Sequence, residues 1–231
     1  MEVKMELKSV GCGIYHVAFK NEYFCASTFC RVQEFYESAF KEIRGKYFRL
    51  EDYTDLYFKK HETWDYFETV AGCNVPGEQV DAFFDLFDSK GDLMDREFEL
   101  YKLVKQIKKQ PDVIANGGKY YLIATGDQEH VMHEISHGLY YTVDEYREAQ
   151  DLITSKWKSV PKVKAALLTL GYADLTYIIK DEIQAYFATE KKEYLVENLE
   201  YVDSWGMPKG YATNFKKFVK NKKLKIPKGK K

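Results

Sequence analysis

The sequence has no long uninterrupted apolar run. No stretch of its 231 residues approaches the ~18 uncharged apolar positions that a membrane-spanning helix needs. Its start, Met1-Glu2-Val3-Lys4-Met5-Glu6-Leu7-Lys8, alternates charge with apolar side chains and lacks the apolar core of a signal peptide. Cysteine is scarce: Cys12, Cys25, Cys30 and Cys73 form no Cys-x-x-Cys pair, which argues against a disulfide scaffold or a thiolate metal knuckle. They read as buried reduced thiols. These absences together lead us to expect an intracellular, cytoplasmic protein with no membrane partner. Aromatics are not scarce. At 16% of the chain they exclude a disordered polymer and promise a sizeable core.

The net charge of −1 conceals an asymmetry. Residues 209–231 carry ten Lys and no Asp or Glu, which leaves 25 basic against 36 acidic residues, a net −11, in 1–208. The Lys-rich end reads as a solvated or frayed terminus. Phe215 and Phe218 among its charges would also suit contact with a polyanion or an acidic partner.

Patterning divides the chain. Val3, Met5 and Leu7 alternate and Ile14–Phe19 is apolar, so strands are expected within 1–24. Ser27 is placed to cap a helix running to about Ile43, with Gly45 ending it. Eight aromatics in 46–67 predict a core layer. Pro76-Gly77 opens a helix through Val80, Phe83, Phe84 and Phe87; a second carries Met94, Phe98, Tyr101, Val104 and Ile107 until Pro111-Asp112 stops it. Lys119–Thr125 is β-rich, and from Gln128 to about Val202 the pattern is helical. The expected fold class is α+β: a mixed α/β part over 1–126, a helical part over 127–208 and a basic tail over 209–231.

Chemistry concentrates in one place. Three of the five histidines fall within eight residues, His130, His133 and His137, and His133-Glu134-Ile135-Ser136-His137 has the His-Glu-x-x-His spacing. On a helix, four residues advance 400°, so His133 and His137 stand ~40° apart and ~6 Å along the axis. Both can then reach one metal ion at ~2.0–2.1 Å. Glu134 lies ~100° round, where it can address a water instead of competing for the metal. His130 sits too far along the axis to complete the same site. Glu182 is a better third ligand, because Leu175, Ile178, Ile179, Ala185 and Tyr186 surround it on one helix face. A carboxylate within an apolar stripe demands a cation or strong donor.

At these residues the chain resembles the zincin metallopeptidases, and Glu182-Ile-Gln-Ala185 resembles the Glu-x-x-Ala helix of the thermolysin-type gluzincins. The resemblance covers Lys119–Tyr141 and the Glu182 helix. Tyr140 and Val143 stand where a metzincin would have Gly and His, so that branch is excluded. The resemblance implies a zinc-dependent metallopeptidase acting on a peptide or protein substrate. In it His133, His137 and Glu182 bind Zn2+, and Glu134 is the general base toward a metal-activated water. It also implies that Lys119–Thr125 is an edge strand on which an extended substrate pairs. His130, Tyr140, Asp181 and Tyr186 are expected to line the cleft or orient the ligands; Tyr140, Tyr141, Tyr186, Tyr194, Tyr201 and Tyr211 are the tyrosines considered as oxyanion donors. Another metal-dependent hydrolase, or a non-catalytic metal-binding interaction protein, would use the same motif.

Overall fold

A computed structural model describes residues 4–127 and 129–227; Met1–Val3, Gln128 and Lys228–Lys231 lie outside the described residues, and with them Val3 of the expected first strand. In chain order the elements are β1 (Glu6–Gly11), β2 (Ile14–Ala18), α1 (Glu22–Glu37), α2 (Leu50–His61), α3 (Tyr66–Thr69) and β3 (Gly72–Pro76). Next come α4 (Gly77–Ser89), α5 (Asp95–Ile107), α6 (Pro111–Ala115), β4 (Tyr121–Thr125), α7 (Val131–Thr142) and α8 (Asp144–Lys156). The chain ends with α9 (Val160–Thr169), α10 (Thr176–Thr189), α11 (Lys192–Leu199) and α12 (Tyr211–Asn221). Among the described residues, twelve α-helices around one mixed four-stranded sheet make the fold α+β.

The sheet runs β1-β2-β4-β3, with β2 and β4 parallel and the two outer pairs antiparallel. Its period-2 alternation separates two cores. Tyr15, Val17, Cys73, Val75, Leu122 and Ala124 face one way, onto the Phe- and Tyr-rich packing of α1, α4 and α5. Ile14, Tyr121 and Ile123 face the other way, onto α7, α8 and α10. The 1–126 part therefore builds the whole sheet and one helical layer, and the 127–208 part covers the opposite face.

Several expectations need correction. β4 is not an edge strand: β2 and β3 flank it, and all five of its residues are buried. A strand covered on both faces reads as a continuous apolar run, which by itself does not reveal whether its edges are paired. The edges are β1 and β3. Helix α1 begins five residues before Ser27's position, capped by Asn21, whose side chain accepts from the Phe24 N–H at 3.0 Å. Ser27 lies inside the helix and accepts from Arg96, and Ser38 turns the chain out of α1 well before Ile43. Pro111 stops α5 and also opens α6 at its first turn. The tail is not a free end over its described part. Tyr211 and Phe215 of α12 are buried in the second core, with Phe218 and Val219 packed against it, at one-face helical spacing. Cys25, Cys30 and Cys73 are buried free thiols, and Cys12 is half-buried.

The close seating of α7 on the sheet rests on Gly138. A Cβ there would lie 2.9 Å from the Ile14 side chain, so a larger residue would lift the helix off β2. No helix among the described residues is long and apolar enough to cross a membrane.

Candidate metal centre

Helix α7 turns Ile135 and Leu139 into the second core and leaves His133, Glu134 and His137 toward α10 and β3. Helix α10 brings Glu182 opposite. Glu182 Oε1 lies 3.7 Å from His137 Nε2, and Glu182 Oε2 lies 3.8 Å from His133 Nε2. These separations are too long for hydrogen bonds and close to the ~3.3–3.6 Å between ligands of one tetrahedral ion. One ligand atom from each of the three residues lies within 4.8 Å of the others. The residues that the spacing singles out therefore converge in space.

The surroundings favour positive charge at this point. His137 Nδ1 lies 2.9 Å from Asp181 Oδ1, and His133 Nδ1 lies 3.2 Å from Glu190 Oε1. Each Nε2 faces Glu182; on the outer side Glu190 hydrogen-bonds His133 Nδ1, whereas Asp181 stands at ion-pair distance from His137 Nδ1 without a hydrogen bond. Burial alone would depress both rings. Glu182 and Glu190 instead raise His133 to about 9, and Asp181 with Glu182 raises His137 to about 10. Burial would raise Glu182 too, but His137 and His133 hold its carboxyl below the ordinary value. Four carboxylates, Glu134, Asp181, Glu182 and Glu190, surround two imidazoles, and a divalent cation suits that charge set.

The fit to a metal rests on unsatisfied atoms. His137, Glu134 and Glu182 are 1%, 5% and 4% exposed, yet among the described residues His137 Nε2, Glu134 Oε2 and Glu182 Oε2 have no hydrogen-bond partner, nor has His137 Nδ1 on the outer side of its ring. Buried polar atoms are rarely left so, and three around one point call for a ligand. His133, His137 and Glu182 would hold zinc, a borderline ion that accepts two imidazoles and a carboxylate and keeps a fourth position open.

Glu134 does not join that group. It projects toward β3, where a Cβ on Gly72 would stand 2.3 Å from Glu134 Oε1; only glycine lets the strand come this close. Burial pushes the Glu134 carboxyl up, opposed by His133 and His137. A carboxylate so placed is suited to hold and pass on a proton.

His133, Glu134, His137, Glu182 and Glu190 open into one cavity of about 410 Å³ between the α1–α2 wall and α10. His130, Tyr186 and Tyr194 line it as well. His130 stands apart from the ligand group, just before α7, with its Nδ1 3.0 Å from Asp127 Oδ2. Tyr140 turns away and donates to Asp151 at 2.7 Å. Tyr141 donates to Glu78, Tyr211 pairs with Thr154, and Tyr201 packs in the second core. Three participants lie outside the residues picked from sequence. Glu190, eight residues beyond Glu182, returns to ~80° of it, a weak periodic signal. Tyr172 lines the cavity with its hydroxyl 3.1 Å from that of Tyr186. Asn74, on the edge strand β3, accepts from Tyr121 Oη at 2.6 Å.

No protein-family model, curated protein or solved structure matches the chain.

Proposed function

We propose that this protein is a zinc-dependent metallopeptidase of gluzincin-like design. One observation carries the reading: a buried Glu134 carboxylate with its Oε2 unpartnered among the described residues, beside, and not among, the convergent His133, His137 and Glu182 in a substrate-sized cavity. A site that held metal for structure alone would have no use for that carboxylate.

Bound zinc supplies Lewis acidity, which lowers the pKa of water toward ~7 and polarises a carbonyl oxygen. Glu134 takes the proton from the attacking water on its free Oε2 and delivers it to the leaving amine. Asp181 and Glu190 keep the two imidazoles aimed at Glu182 through the reaction. Tyr172, Tyr186 and His130, on the cavity wall, are the side chains placed to donate toward the developing oxyanion. An extended substrate finds its nearest strand in β3. The Asn74 N–H, however, is already taken by Gln33 Oε1 at 3.1 Å, so part of this edge is closed to strand addition.

Zinc titration of Glu182→Ala tests the reading, beside digestion of a mixed peptide library with and without chelator. The expected result is a folded variant whose zinc affinity falls by orders of magnitude and whose hydrolysis disappears. Unchanged affinity would remove Glu182 from the ligand set, and a zinc-loaded wild type that cleaves no peptide would end the peptidase reading.

A further inference from the structure

The cavity does not stop at the metal centre. It runs on to the end of α1 and to α2, where Glu34, Glu37, Phe40, Tyr53, Tyr57 and Tyr66 line it. Counted over the whole lining, Glu34, Glu37, Glu134, Glu182 and Glu190 face a single lysine, Lys60. The charges of three are accounted for: Glu182 in the ligand group, Glu190 on His133, and Glu134 as the proton carrier. Lys60 acts on Glu34. Glu37 remains. Among the described residues its one side-chain donor is the neutral amide of Gln33, and no Lys or Arg stands within ion-pair distance.

Glu37 is also held in place. Gln33 Nε2 donates to Glu37 while Gln33 Oε1 accepts from the Asn74 N–H of β3, so the carboxylate is tied through one side chain to the strand beside Glu134. Burial pushes the Glu37 carboxyl well above its ordinary value and the negative Glu182 adds to this, while the Gln33 amide and His137 oppose it. A carboxylate in such a place is costly to keep charged unless a cation joins it. The unsatisfied, more than nine-tenths buried oxygens of Glu134 and Glu182 open into this same cavity, which marks it as a ligand space and not simply an acidic helix end.

We infer that the cleft selects substrates bearing a positive charge, an ammonium or guanidinium received by Glu37 with Glu34 behind it. The rings of Tyr53, Tyr57 and Tyr66 would cover the aliphatic stem that carries the charge. The inference rests on the peptidase reading for the identity of the substrate, but the cation site stands on its own geometry. A lysine or arginine side chain and a peptide's free amino terminus offer the same chemistry.

The test uses the zinc-loaded full chain and peptide pairs that differ in one group. Lysine is exchanged for norleucine in one arm, and the free amino terminus is acetylated in the other. Cationic members should show kcat/KM about 10- to 100-fold above their neutral partners, the worth of one charge-assisted hydrogen bond. In Glu37→Gln that preference should collapse with zinc content and neutral-peptide cleavage unchanged. The arm that abolishes the preference identifies the source of the charge. Equal cleavage of charged and neutral peptides by the wild type overturns the inference, as does an equal loss for both in Glu37→Gln. A second readout needs no hydrolysis: calorimetric titration with n-butylguanidine should show binding that weakens with salt and drops about 10-fold in Glu37→Gln. Guanidine binding without any peptide cleavage would sink the peptidase reading and leave the cation site standing. Cleavage without charge preference, together with no guanidine binding, would do the reverse.

Discussion

Two buried groups of charge lie on opposite sides of the sheet, and they are built on opposite plans. In the aromatic core Arg31, 2% exposed, is fully occupied. Its Nε and Nη2 donate to the two oxygens of Glu97 at 2.9 and 2.5 Å, Nη1 reaches Asp92 at 2.9 Å, and its face lies over Phe87. On the other side His137, Glu134 and Glu182 keep buried atoms that nothing among the described residues satisfies. A closed group serves the fold; an open one waits for something from outside. Burial alone would have grouped the two together, and only the count of partners separates them.

The largest effect should come from emptying the open side of Glu134, its proposed proton carrier. Glu134→Gln is expected to lower turnover by about 10²–10⁴-fold. Metal content and denaturation midpoint, read on the same preparation, should match the wild type, since no hydrogen bond to Glu134 Oε2 is lost. Near-normal turnover at full zinc would contradict the role.

The closed side should break the other way. Arg31→Ala leaves Glu97, fully buried, without its main partner, and should cost about 3–5 kcal/mol in urea denaturation. Zinc affinity of the molecules that remain folded should not move. A joint loss of stability and affinity would mean that the two groups are coupled through the sheet.

A smaller effect belongs to the carboxylates behind the ligands. Asp181→Asn and Glu190→Gln should each weaken zinc about 10–100-fold, measured by competition with a chelating dye. No change in either would reduce Asp181 and Glu190 to ordinary helix charge.

The smallest effect contrasts histidines. His16 is buried with its Nε2 against Thr125 Oγ1 at 3.0 Å and its Nδ1 without a hydrogen-bond partner among the described residues; Lys8 and Glu6 act on it in opposite directions. Burial lowers its pKa to about 4 from the ordinary 6.5. The unfolded chain therefore takes up a proton below pH 6.5 that the native state refuses until about pH 4, so stability falls as pH drops through that window. His16→Gln should flatten the stability profile between pH 6.5 and 4; an unchanged profile would assign the acid sensitivity elsewhere.

Short-range periodicity is legible in the sequence, and long-range pairing is not. The helices carrying His133, His137 and Glu182 declare themselves by 3.6-residue spacing, and the two histidines share a helix, so their relation is local. Glu182 could be singled out because a carboxylate among Leu175, Ile178 and Ala185 conflicts with its neighbours, and such conflicts show in one dimension. The strand β3 was not anticipated: Gly72–Pro76 is five residues long and contains a glycine, an asparagine and a proline, all poor strand formers. Its place beside Glu134 comes from pairing with β4, some fifty residues on in the chain.

What the amino-acid sequence determined by itself was periodic and short-range: the α+β class, the helical second half, the metal-ligand spacing on α7 and the apolar stripe around Glu182. Tertiary structure alone decided the rest. It put β4 inside the sheet, docked α12 through Tyr211 and Phe215, and brought Glu190 to His133. It also linked Glu37 through Gln33 to Asn74 and left Glu134 unpaired beside Gly72. The reason is physical. A residue's spacing sets which side of its own helix or strand it occupies, whereas a buried carboxylate's partners come from elements far away in the chain, and whether they arrive is settled only when the layers pack.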